Sequence, residues 1–198
     1  MAYHHGDLPA ALLSAVGLIV NEEGIDALTL RAAARRAGVS HGAPAHHFGD
    51  KRGMLTAFAK QGMLHLERCM QEALAASGQQ SVAGRLVALG LGYLEYSVIH
   101  PAHFAVAARE ELLDLSDVAL IAGRERVMRL VRDVFDAAVT QGLLAESERE
   151  AARLLFWSLV TGLATGGRVV AADAHSPGQY RGRARVALEL FARRLLSR

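Results

Sequence analysis

The stretch from Thr29 to Phe48 reads TLRAAARRAGVSHGAPAHHF, and its layout decides the fold. Thr29 is a good N-cap for a short amphipathic helix to about Ala37, with Leu30, Ala33, Ala34 and Ala37 inward and Arg31, Arg35 and Arg36 outward. Ala34 is small enough for a second helix to approach closely. Four positions on, Gly38 accepts the left-handed conformation that stops the helix, and Val39 anchors the turn beneath it. Ser40 is expected to cap a third helix of barely two turns, about His41 to His47. Two short helices joined by a glycine turn form a helix-turn-helix, an arrangement that presents its second helix to the major groove of DNA. On that reading Ser40, His41, Gly42, Ala43 and His46 face base edges. Thr29, Arg31, His47 and Lys51 lie at the margins, within reach of phosphates.

Helical patterns extend outward from this stretch. Asp7 is an N-cap candidate for a first helix from about Pro9 to Asn21, with Leu8, Leu12, Ala15, Val16, Ile19 and Val20 on one face and Gly24 beyond its end. Asp50 starts a long fourth helix to about Ala76. Amphipathic runs follow at about Val82–Ile99, Ala102–Leu113, Ser116–Gln141, Ser147–Ala172 and Gln179–Leu196, with loops at 78–81 and 173–178. Runs of β-branched residues are scarce and the four prolines lie outside the long patterns, so the expected fold is all-α with no sheet.

Composition excludes other classes. The 198 residues are 52% hydrophobic and 21% charged, too apolar for a disordered tail. A single cysteine, Cys69, excludes an internal disulfide and fits a reducing cytoplasm; with no base placed to activate it, it is read as inert. No signal-peptide pattern opens the chain and no window approaches 18 uninterrupted apolar residues, so no membrane partner is expected. The net charge of +2 does not announce a polyanion binder, but position matters more than the sum. Within the first 60 residues, Arg31, Arg35, Arg36, Lys51, Arg52 and Lys60 all lie in or after the helix-turn-helix. Four of the five acids there, Asp7, Glu22, Glu23 and Asp26, precede it, and only Asp50 follows.

Enzyme readings fail on their parts. Thr161 to Gly167, TGLATGG, lacks the strand and lysine of a phosphate-binding loop and reads as a close helix–helix contact. Glu110, Glu111 and Asp114 read as a solvated face or a pocket rim, and no nucleophile–base arrangement can be assembled. His4, His5, His41, His46 and His47 offer imidazoles, yet Asp50 is the sole nearby carboxylate in a ligand-like spacing. The expectation is therefore no enzyme, no metal and no cofactor.

The segment from His4 to Leu55 resembles the DNA-binding domain of the tetracycline-repressor (TetR/AcrR) family of bacterial regulators. The resemblance is carried by Gly24, Leu28-Thr29, Ala37-Gly38-Val39-Ser40, His47-Phe48 and Asp50-Lys51. His100-Pro101-Ala102-His103-Phe104 and Trp157-Ser158-Leu159-Val160-Thr161-Gly162-Leu163 resemble the branch of that family with a WHG-type C-terminal domain. One position departs: the family usually has Tyr two residues before the His-Phe pair, and here Ala45 stands there. The resemblance implies a helix-turn-helix DNA-binding domain at 1–52, with three helices, and a helical effector-binding and dimerisation bundle at 53–198. It further implies a cytoplasmic homodimer that acts as a repressor, the family's usual output, and is released from a palindromic operator in double-stranded DNA by a small-molecule effector. The last two helices are expected to form a four-helix dimer interface. Tyr93, Phe104, Met128, Phe135 and Trp157 are core residues by spacing and, by resemblance, candidates to line the effector cavity. The alternative raised by Ala45 is a helical sensor or protein-interaction module without DNA binding.

Overall fold

A computed structural model describes residues 8–78, 81–170 and 177–196. Asp7, His4 and His5, and most of the loop at 173–178, lie outside the described residues. Nine α-helices and no strand occur among those described: α1 Leu8–Glu22, α2 Leu30–Ala37, α3 Ala43–Phe48, α4 Lys51–Ser77, α5 Val82–Ile99, α6 Pro101–Ala107, α7 Val118–Thr140, α8 Arg149–Val170 and α9 Pro177–Leu195. Short 3-10 turns cover Ile25–Ala27, Glu110–Leu112 and Glu146–Glu148. The expected run from Ala102 to Leu113 is thus divided, because α6 stops at Ala107 and a 3-10 turn follows. Helix α5 is long and apolar enough to cross a membrane, but 61% of it is buried within the fold.

The chain packs as two compact units. The first comprises residues 1–65 and 100–124, the second 66–99 and 125–198. In the first, α1 packs on α2, α3 and α6, and α2 packs on α3. Its core holds Val16, Ile19, Leu28, Ala33, Met54, Phe58 and Val106, each at most 2% exposed. Thr56 and Arg52 tie the start of α4 to a segment far along the sequence. The Arg52 guanidinium donates to the Leu113 and Glu111 carbonyls at 3.3 Å each. The Asp114 N–H donates to Thr56 Oγ1 at 2.9 Å, and Lys60 pairs with Asp117 at 2.9 Å.

In the second unit α5 packs on α8 and α9, and α8 on α9. Phe135 and Phe156 are fully buried, their rings edge-to-face at 6.1 Å. Gly92 of α5 allows close approach to α4: a Cβ there would lie 2.7 Å from the Cys69 carbonyl oxygen and the Met70 Cα. Burial pushes the Cys69 thiol up, away from the reactive thiolate.

Candidate functional site

Local chemistry builds the helix-turn-helix. The Thr29 side chain accepts the Ala32 N–H at 3.0 Å, closing the N-terminus of α2. Gly38 ends that helix with φ 69 and ψ 31, where a side chain is disfavoured. The Val39 N–H then donates to the Ala34 carbonyl at 3.0 Å, capping the last turn. Ala33 and Ala34 have no exposed surface, which is what a close helix crossing requires.

Helix α3 starts two residues later than the sequence suggests. Ser40 does not cap it; its carbonyl accepts the Ala43 N–H at 3.1 Å in a turn, and Gly42 is the N-cap residue. Ser40, His41 and Gly42 therefore precede α3 and are exposed, as are Ala45, His46 and His47 on the helix itself. Ala43 departs from the expectation that it faces base edges: it is 9% exposed, its side chain turned inward beside buried Pro44. A six-residue helix needs an apolar footing against α1 and α2, and Ala43 and Pro44 supply it.

The charges around this surface are sorted by ion pairing. Arg36 forks onto Glu22 and Glu23 at 2.7 and 3.0 Å, occupying two of the acids that precede the motif. Arg31 and Arg35 are exposed and carry no ion pair among the described residues. Thr29 is exposed beside Arg31. Lys51 is half-buried at the start of α4, its ammonium 3.5 Å from the Ile25 carbonyl oxygen. Seven of the nine residues expected to contact DNA (Thr29, Arg31, Ser40, His41, Gly42, His46 and His47) are thus exposed on α2, the turn and α3, with Lys51 partly covered and Ala43 buried.

The five effector candidates are divided between the two units. Phe104 belongs to the first unit, the other four to the second. Phe135 is core, Met128 is 40% exposed, and Tyr93 meets Trp157 edge-to-face at 5.9 Å. The Tyr93 hydroxyl lies 3.4 Å from Thr161 Oγ1, and burial pushes its pKa up. The indole N–H of Trp157 is buried without an acceptor among the described residues. The second unit has instead a cleft of about 840 Å³ between α4, α5 and α9, lined by Glu72, Glu95, Arg181, Arg185 and Glu189 among apolar neighbours. None of the five lines it. Phe104 and Phe135 went to the core, as hydrophobic burial favours, Tyr93 and Trp157 are half-buried, and the cleft's charged wall carries no sequence motif. Within the subunit Gly162 makes no close helix contact, since a Cβ there would meet nothing within 4 Å.

Residues 15–58 match the family description "Bacterial regulatory proteins, tetR family", and residues 86–169 match "Tetracyclin repressor-like, C-terminal domain". The chain is 38% identical over 91 residues to the HTH-type transcriptional regulator BetI of Serratia proteamaculans, covering 46% of each protein. It therefore spans about half the length of the curated relatives it matches. Its fold is similar to that of a Rhodococcus sp. RHA1 protein described as of unknown function, at 25% identity and TM-score 0.82 over the whole of both chains. It is also similar in fold to the TetR-family regulator PfmR of Thermus thermophilus, at 20% identity and TM-score 0.71, covering 92% and 94% of the two chains. With a family helix-turn-helix at one end and a family C-terminal domain at the other, the chain belongs to the tetracycline-repressor family of bacterial regulators.

Proposed function

We propose that this chain is a cytoplasmic, DNA-binding transcriptional regulator of the repressor type, which as a homodimer reads a palindromic operator and is released by a small-molecule effector. The observation that carries the reading is the exposed surface from Ser40 to His47. Short and small-residue side chains there let the backbone sit close to the bases, while Arg31 stands uncommitted beside them. Pairing of Arg36 with Glu22 and Glu23 supports it too, by cancelling negative charge that would repel a phosphate backbone.

The dimer is supported by an exposed stripe on α8. Ala151, Leu154, Leu155, Ser158, Thr161, Gly162 and Thr165 recur at helical spacing and are all exposed, with Leu154 at 68% and Leu155 at 55%. Val186 and Leu190 on α9 add 61% and 48% exposed apolar side chains. Two short recognition helices related by a two-fold axis read half-sites about 34 Å apart, which one alone does not specify.

An effector that binds the state with misplaced recognition helices more tightly shifts the population away from DNA. The α4–α5–α9 cleft has the volume for a small molecule, and the charged side chains of Arg181 and Arg185 on its wall suit polar groups on one. Family members are regulators and not enzymes, which agrees with the lack of a nucleophile–base pair in the sequence.

Alanine at Arg31 or at Lys51 is expected to weaken operator binding across all sequences and to lower the salt slope by about 1 per bound subunit. His41→Ala is expected to relax preference at one or two base pairs instead. Titration of each variant against DNA at several salt concentrations checks both; unchanged slopes and an unchanged base preference contradict the assignment.

A further inference from the structure

Three histidines come together in the first unit, away from the recognition surface. His65 lies on α4, His100 is the N-cap residue of α6, and His103 is one turn further along that helix. Their nearest ligand nitrogens all lie within 4.8 Å of one another. The His65 and His100 rings stack at 4.1 Å, and His103 stands edge-on to both at 5.0 and 5.8 Å. We propose that His65, His100 and His103 form a three-imidazole site for a late first-row divalent ion, Zn2+ foremost, with a fourth coordination position open to the adjoining cleft.

Several independent features point that way. His100 and His103 share one face of a helix at i, i+3, a spacing that lets two imidazoles reach one ion, and α4 supplies the third from across the core. His103 is held by a parallel stack on Phe58 at 3.9 Å. Its Nε2 is buried and has no hydrogen-bond partner among the described residues, an uncompensated polar atom that a metal bond would satisfy. An all-nitrogen donor set suits Zn2+, Ni2+, Cu2+ or Co2+ and disfavours Mg2+ and Ca2+. Tetrahedral ligation with bonds of about 2.05 Å needs nitrogens about 3.3 Å apart, so the two stacked rings turn and close inward on binding. His65 and His103 also line a cleft of about 640 Å³ with Ser14, Gly17, Phe58 and Gln61, which leaves room for water at the fourth position. An ion there joins α4 to α6 inside the unit that carries the helix-turn-helix.

The test uses the full chain in a His4→Gln/His5→Gln background, which removes the consecutive pair of histidines at positions 4 and 5 as competing ligands, and needs no DNA, so it fails or succeeds separately from operator binding. Zn2+ is titrated against a chromophoric chelator, and Co2+ is followed by visible absorption. The expected result is one ion per chain, with His65→Gln and His103→Gln each weakening binding by at least about 10- to 100-fold, the loss typical even of outer-shell partners. Co2+ in the unsubstituted site gives the visible bands of a four-coordinate nitrogen–oxygen site with no thiolate charge-transfer band, a readout that holds if either variant fails to fold. Absence of a stoichiometric ion, unchanged affinity in a folded His103→Gln variant, or a thiolate band placing the ion at Cys69 overturns the site.

Discussion

Gly53→Ala is expected to cost about 3 kcal/mol and to disable operator binding, although alanine ordinarily favours a helix over glycine. Gly53 sits in the first turn of α4, where the chain has just turned sharply out of α3. A Cβ at that position would lie 2.1 Å from the Phe48 carbonyl oxygen and 3.2 Å from its carbon, far inside contact distance. The neighbour is backbone, so no rotamer change relieves it. The same junction is held by the Asp50 carboxylate accepting the Gly53 N–H at 2.8 Å and by the Asp50 N–H donating to the Phe48 carbonyl at 3.0 Å. Relief therefore requires moving the end of α3, the element that presents His46 and His47. Gly42→Ala is the matched control, because its Cβ meets nothing within 4 Å and its φ of -81 suits any residue. Its effect on stability is expected to stay within about 1 kcal/mol. Denaturant unfolding followed by circular dichroism measures both; equal stability of the two variants contradicts the geometry at the α3–α4 junction.

Leu155→Arg is expected to leave the subunit folded and to abolish the dimer, with operator affinity falling by at least about 100-fold as the avidity of two linked half-site contacts is lost. Leu155 is 55% exposed in the single subunit, so the substitution buries no charge within it. Across an interface built from the α8 stripe, the guanidinium would have to be desolvated without a partner, which costs several kcal/mol on each side of the two-fold axis. Sedimentation at micromolar concentration and a DNA titration read the two effects. A variant that remains dimeric, or one that is monomeric yet binds as tightly, contradicts the proposed interface.

How much was legible in the sequence depended on how local the physics is. Both ends of α2 could be read because their determinants, the Thr29 cap and the Gly38 turn, act within four residues. The bounds of α5, Val82–Ile99, followed from one amphipathic run ended by His100-Pro101. The start of α3 was misplaced because Ser40 has cap chemistry but spends its carbonyl on a turn, and Pro44 then sits at the start of a shorter helix. Ala43 was assigned to the wrong face because two turns are too few for periodicity to mark an inward side. Contacts that depend on distant partners left no trace in the pattern. Arg52, Thr56 and Lys60 hold residues 111–117, and this is how His100–Arg124 joins the unit bearing the helix-turn-helix. His65, His100 and His103 meet only through the fold, since the first lies 35 residues before the second and no local pattern links them.

DNA reading by the Ser40–His47 surface is tested most directly by incubating the purified chain with a random pool of double-stranded DNA and sequencing what is retained through repeated selection. The predicted result is one enriched motif with two-fold symmetry, its half-sites a helical turn or a multiple apart, whose binding weakens steeply with salt. A pool that stays random through every round, from a chain that is folded and dimeric, would contradict it.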